Sequence, residues 1–196
     1  MSNPTIVWLR RDLRLVDQAA LVAACAAGPV VPVYVLDDET PAHRAMGGAS
    51  REHNKIALNL ASAFQSGLRG GPCEVFMNDF KVRLEVAREE YFYYPDVVVS
   101  CHAASIEKYF LREPTLVVEV LFPTTETIDR REKHAHYRQA PTLEEYVLVA
   151  QDHREVTIFR RATGWQGEVF TAADARVEFR SIQQALTLAE IYEGVF

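Results

Sequence analysis

Two acidic residues stand where packing alone would not put them. Pro95-Asp96-Val97-Val98-Val99 places a carboxylate at the start of an apolar run, and Leu116-Val117-Val118-Glu119-Val120-Leu121 places another inside one. An ionised carboxylate is costly to bury unless it is paired or bound to a metal, so Glu119 is the most anomalous residue in the chain. Two carboxylates meeting from neighbouring strands would make an oxygen-rich site suited to Mg2+ or Mn2+. Such an ion lowers the pKa of a bound water and offsets charge on a phosphodiester, which are the needs of metal-assisted hydrolysis. Lys133, on the following helix, is a candidate to orient that water or to meet developing negative charge. The plainer readings are a strand-end cap for Asp96, a buried salt bridge to an arginine for Glu119 and a solvated helix position for Lys133.

The elements that must position these residues follow from periodicity. Ile56, Leu60, Phe64 and Leu68 recur every four residues, which predicts an amphipathic helix over 52–68, ended by Gly67, Gly70 and Gly71. Four β-type runs come next, at 73–77, 82–86, 93–100 and 115–121, and these would build one mixed sheet. A helix is expected over 129–138, strands at 146–149 and 156–159, and a short final helix behind the capping-box pair Thr187 and Glu190. The helix over 129–138 carries Arg130, Arg131, Lys133, His134, His136 and Arg138, the densest basic patch in the chain. Arg130 and Arg131 are candidate phosphate contacts, and a solvated face is the plain alternative. Tyr91 to Tyr94 could stack bases or form a dimer surface, although alternating core and surface packing is the ordinary use.

Composition narrows the classes. The 196 residues carry a net charge of −6 and are 48% hydrophobic, so a globular core is expected and no global basic field exists to hold DNA. Residues 19–36 are free of charge, but Gly28, Pro29 and Pro32 divide them into a helical and a strand half, which argues against a membrane span. Arg10, Arg11 and Arg14 follow the first apolar stretch instead of preceding it, which argues against a secretory signal and for a cytoplasmic protein. Cys25, Cys73 and Cys101 form neither a disulfide framework nor a zinc pattern and are expected as reduced, mostly buried thiols.

At the N-terminus, a strand at 5–9, a helix capped by Asp17 and running to Ala27, and a strand at 30–36 make one β-α-β unit, too small to close a core alone. The string IVWLRRDLRLVDQAALVAACAAGPVVPVYVLDDET resembles the opening of DNA photolyases and cryptochromes. In that family the light chemistry depends on a large helical FAD-binding domain, for which this chain has neither length nor pattern. Photolyase activity is therefore not expected, and neither is FAD.

From about residue 49 onward the strings GASREHNKIALNLASAF, GPCEVFMNDFKVRL, YYPDVVVSC, LVVEVLFPTTETIDRREKHAHYRQ, LEEYVLVAQDHREV and LTLAEIYEGV resemble the Uma family of restriction endonucleases, of the PD-(D/E)xK nuclease-like superfamily. The resemblance implies an α/β fold, a restriction-endonuclease-like mixed sheet flanked by helices. It implies that Asp96 and Glu119 bind Mg2+ or Mn2+, with the backbone carbonyl of Val120 between them. The superfamily lysine normally stands two residues after the glutamate; that position is Leu121, and the resemblance implies that Lys133 substitutes from the helix. His53 matches a recurrent family histidine, either a helix N-terminal structural residue or a contact to nucleic acid. Phe122 replaces a small serine and could crowd the mouth of the site.

The expectation is therefore an incomplete photolyase-like segment over 1–48 and a Uma-type nuclease-like domain over 49–196, fused near Gly47-Gly48-Ala49-Ser50. The expected function is metal-dependent hydrolysis of DNA phosphodiester bonds. Its rivals are a disabled nuclease fold that binds nucleic acid or protein, and a photolyase-derived fragment without photochemistry. DNA is the expected partner, a homodimer is allowed, and no membrane is involved.

Overall fold

The computed structural model describes residues 5–9, 26, 30–34, 49–122 and 133–196. The chain divides into two units, Met1–Gly48 and Ala49–Phe196. In the first, β1 (Thr5–Leu9) and β2 (Val30–Tyr34) pair in parallel from Thr5↔Val30 to Leu9↔Tyr34. These are the two strands expected there, the second ending at Tyr34 instead of residue 36, and the expected helix between them lies outside the described residues except for position 26. Arg10, Arg11, Arg14 and Asp17 lie outside the described residues.

The second unit opens with helix α1 (Arg51–Gly67), where Ser50 accepts a hydrogen bond from the His53 N–H as N-cap. A side-chain oxygen there satisfies one of the helix's orphan donors. Its apolar stripe, Ile56, Leu60 and Phe64, is fully buried, as the period of four requires. Gly67 has a packing reason as well: a Cβ there would meet the Gln184 side chain at 2.1 Å.

The principal sheet has six strands in the order β11-β10-β9-β8-β6-β3. These are β3 (Glu74–Met77), β6 (Val97–Ser100), β8 (Leu116–Leu121), β9 (Glu145–Ala150), β10 (Val156–Arg160) and β11 (Gly167–Phe170). Only β8 and β9 pair in parallel; the other neighbours are antiparallel, so the sheet is mixed. Strands β6, β8 and β9 are buried at every position, which explains their near-continuous apolar sequences.

One face of this sheet packs on α1, on the hairpin β12 (Arg176–Phe179) and β13 (Gln184–Thr187), and on helix α3 (Leu188–Ile191). Phe64 and Phe179 meet edge to face, with centroids 4.8 Å apart. The opposite face packs on helix α2 (His134–Tyr137) and on a separate three-stranded sheet. That sheet, in the order β5-β4-β7, comprises β4 (Lys81–Val86), β5 (Glu89–Tyr93) and β7 (Phe110–Leu111). The capping box of Thr187 and Glu190 forms at the start of α3.

Three expectations need correction. The run 82–86 does not join the principal sheet but centres the small one, because Val82, Leu84 and Val86 cover the second core from above. The run 93–100 is not one strand: β5 ends at Tyr93, and Pro95, which has no N–H to donate, separates it from β6. Cys73 and Cys101 are not free thiols but form a disulfide. They stand one step beyond the Glu74↔Ser100 pair, so the antiparallel register of β3 on β6 sets them opposite one another. The expected helix over 129–138 is described only from residue 133 onward; Arg130 and Arg131 lie outside the described residues.

Candidate functional site

Strand β8 creates the site by outrunning one neighbour. It pairs with β9 along its whole length, Leu116↔Glu145 to Leu121↔Ala150, but with β6 only from Leu116 to Val118. Strand β6 begins at Val97, opposite Val118, and Asp96 stands just before it. There Asp96 turns its Oδ2 onto the Val120 N–H at 2.7 Å. A strand residue's N–H and C=O point to the same edge, so the Val120 carbonyl faces the Asp96 side too. Asp96 thus meets the Val120 N–H, next to Glu119 in the chain, where the pairing of β6 with β8 has ended.

Each carboxylate meets a basic side chain. His53 Nε2, on the first turn of α1, lies 3.3 Å from Asp96 Oδ1, with the two side chains 11% and 18% exposed. Lys133 Nζ, at the start of α2, lies 3.0 Å from Glu119 Oε2, and Glu119 is nearly closed to solvent. The sequence-derived candidates Asp96, Glu119, Val120, Lys133 and His53 therefore gather at one end of β8. His53 is turned toward Asp96, and the Phe122 ring sits 6.4 Å from the imidazole.

Sequence reasoning missed two residues here. Gln151, 7% exposed, follows directly on β9, and its Oε1 accepts a hydrogen bond from Ser50 Oγ at 2.6 Å. The same Ser50 Oγ accepts from the His53 N–H at 3.0 Å. Gln151 thus pins the cap of α1 to the C-terminal end of β9, and the capped turn presents His53 to Asp96. The signal available in sequence was a lone amide side chain ending a run of five uncharged residues, Tyr146 to Ala150.

A second buried glutamate shows what a structural carboxylate looks like in this fold. Glu145, at the head of β9, is 1% exposed and accepts from Arg160 Nε at 3.0 Å, from the backbone N–H groups of Arg180 and Ser181, and from Ser181 Oγ. Arg160 also pairs with Glu168 and donates to the Glu178 carbonyl. This is the buried arginine bridge considered for Glu119, realised at a different residue. No three His, Cys, Asp or Glu side chains converge on a metal position among the described residues. An ion at the site would rest on two carboxylates and a main-chain carbonyl.

Comparison with known proteins gives the family and the fold. Residues 42–189 match the profile of the Uma2 family, described as "Putative restriction endonuclease". The "Uncharacterized protein slr1290" of Synechocystis is 34% identical over 154 residues, covering 77% of this chain and 80% of that protein. A solved structure from Anabaena variabilis, described as a "putative nuclease belonging to DUF820", superposes with a TM-score of 0.65 at 18% identity, over 76% of this chain and 85% of that one. That likeness establishes the fold.

The opposite end of the chain matches something else. Residues 5–70 match the DNA photolyase profile, which overlaps the Uma2 match over 42–70. The "Deoxyribodipyrimidine photo-lyase" of Agrobacterium fabrum is 37% identical over 85 residues, which are 40% of this chain but 17% of that protein. No helix among the described residues is long and apolar enough to cross a membrane. With the family profile spanning most of its length and a relative 34% identical over 77% of it, the chain, built on a restriction-endonuclease-like mixed sheet, belongs to the Uma2 family.

Proposed function

We propose that this chain is a metal-dependent endonuclease that hydrolyses phosphodiester bonds in DNA. One arrangement carries the reading: Asp96 accepts from the N–H of Val120, the residue after Glu119 on β8, and the Lys133 ammonium lies 3.0 Å from Glu119. The donor set fits a small hard cation, because two carboxylates and a carbonyl offer oxygen alone. Asp96, Glu119 and the Val120 carbonyl would hold Mg2+ or Mn2+. When bound, the ion supplies Lewis acidity toward a phosphoryl oxygen and a water of lowered pKa.

The chain's own residues have separate tasks. His53 and the Val120 N–H hold one Asp96 oxygen each, which fixes the plane of that carboxylate. His53 is in this reading a positioning residue instead of a contact to nucleic acid. Lys133 keeps positive charge beside Glu119, where it can meet the charge that develops on an attacked phosphate. Arg130 and Arg131 supply phosphate contacts next to Lys133 in sequence, which an acidic chain must concentrate locally.

A second reading, a non-catalytic nucleic-acid or protein binding domain of the same fold, is favoured by one observation. Each carboxylate is already engaged by a basic group, His53 on Asp96 and Lys133 on Glu119. Incubation of supercoiled plasmid with the full chain and Mg2+ or Mn2+ separates the two. Nicking or linearisation that disappears in Glu119→Gln supports the nuclease; plasmid retained but uncut by the folded wild type supports the binding domain.

A further inference from the structure

We propose that the outer face of the β4-β5-β7 sheet binds single-stranded nucleic acid and feeds it toward Asp96. The inference deepens the nuclease reading and rests on it for the nature of the polymer. Its starting point is alternation. Val82, Leu84 and Val86 of β4 are buried, so Lys81, Arg83 and Glu85 project outward. In β5, Tyr91 and Tyr93 turn inward against His136, and Tyr93 also against Tyr137, while Phe92 is 45% exposed and Tyr94, just past the strand, 42%.

The outward rings come with cations. Lys81 Nζ lies 5.6 Å from the Phe92 ring centroid. Arg83 lies 5.8 Å and Arg112 5.4 Å from that of Phe110, and the two phenylalanine rings meet edge to face at 6.3 Å. The cross-strand pairs Arg83↔Phe92 and Lys81↔Phe110 set this pattern. Rings interleaved with ammonium and guanidinium groups suit a polymer of flat bases and phosphates: any base can stack on a ring, and the neighbouring cation meets the backbone. Aromatic and arginine side chains also suit a protein partner, but the Lys81 ammonium over the Phe92 ring is of a type depleted from protein interfaces and at home against a phosphate backbone.

The face is also polarised. Glu85 and Glu90 stand opposite each other near the hairpin turn, and Arg83 pairs with Glu90 there, while Arg112 pairs with Glu107 beside β7. The Lys81 and Tyr94 end carries the rings without that acidic pair, and Tyr94 is two residues before Asp96. Two residues span at most about 7 Å, which places Asp96 within about one nucleotide of the Tyr94 end of this face.

The test is fluorescence anisotropy of a labelled oligothymidylate titrated with the full chain in EDTA, using wild type, Phe92→Ala, Phe92→Trp and Lys81→Ala. Stacking on one ring is worth roughly 10-fold in affinity, so Phe92→Ala is expected to weaken binding by about that much while Phe92→Trp restores it. Lys81→Ala is expected to reduce the salt dependence by about one phosphate contact. Circular dichroism melting checks that each variant is folded. The surface is overturned if the wild type does not bind the oligonucleotide, or if the alanine and tryptophan variants bind it equally. Failure here with plasmid cleavage intact leaves the nuclease standing, whereas Phe92-dependent binding in a chain that takes up no metal overturns the nuclease and leaves the surface.

Discussion

Lys133 Nζ donates to Glu119 Oε2 at 3.0 Å across fourteen residues of sequence, joining the start of α2 to a strand that is buried at every position. A hydrogen bond between charged groups contributes about 1.5–3 kcal/mol. Lys133→Met is expected to lower stability in urea by about 1–3 kcal/mol and to cut plasmid cleavage by about 100-fold or more, since it removes both the partner of Glu119 and the charge at the phosphate. Lys133→Arg should recover most of the stability. Cleavage unchanged in Lys133→Met would remove the lysine from the chemistry.

The Asp96 carboxylate depends on His53 for its orientation. Replacing the imidazole by an isosteric apolar group in His53→Leu is expected to weaken Mn2+ binding about 10-fold or more, while His53→Gln, whose amide can still donate to Asp96, should retain most of it. Equal affinities in the two variants would mean that His53 only packs against α1 and Phe122.

A pH effect should arise from His134, away from the carboxylates. Its ring stacks on Tyr146 with centroids 5.2 Å apart and packs at a tilt against Phe159 at 4.4 Å, and its Nε2 has no hydrogen-bond partner among the described residues. Burial, and then the charge of Arg138, hold its pKa below the ordinary 6.5. The unfolded chain therefore takes up a proton at higher pH than the folded one. Stability from this group is intact above 6.5 and falls as the pH drops through 6.5 toward the folded value. Thermal unfolding scanned from about pH 7.5 to about pH 5.5 should show the loss, and His134→Phe, which keeps the stacking, should flatten the profile. The same slope in both proteins would place the titration elsewhere.

Glu145 and Arg160 form a structural pair that should be separable from the site. Arg160→Met leaves a buried carboxylate without its cation and is expected to cost about 3–5 kcal/mol in chemical denaturation. The Mn2+ affinity of the folded fraction should not change. A loss of metal affinity at temperatures where the variant remains folded would contradict that separation.

Much of this was legible in sequence, for identifiable reasons. The stripe on α1, the apolar run of β8 and the capping box of α3 are local signals, and each appears within a residue or two of its expected place. Glu119 was legible because a charge inside a buried strand demands a partner. Glu145 drew no comparable attention, standing at the head of its run, yet its burial is satisfied by Arg160 and Ser181 from distant elements.

What sequence could not supply was pairing between remote segments. Alternation at 82–86 identifies a half-buried strand but not the sheet it joins. The Cys73–Cys101 disulfide depends on the register of β3 against β6, fixed by residues far apart in the chain. Strands β11, β12 and β13 have four residues each, and only β12 alternates exposed Arg176 and Glu178 with buried Val177 and Phe179, so none is long enough for a period of two to stand out. The Gln151 anchor of Ser50 is likewise a tertiary contact, between residues 101 positions apart.

Calorimetric titration of Mn2+ into the full chain and into Asp96→Asn tests the central claim most directly. The expected result is saturable binding by the wild type that is lost in the variant, with both proteins giving the same circular dichroism spectrum. No binding by a folded wild type, or equal binding by the two proteins, would contradict a metal centre at Asp96 and Glu119.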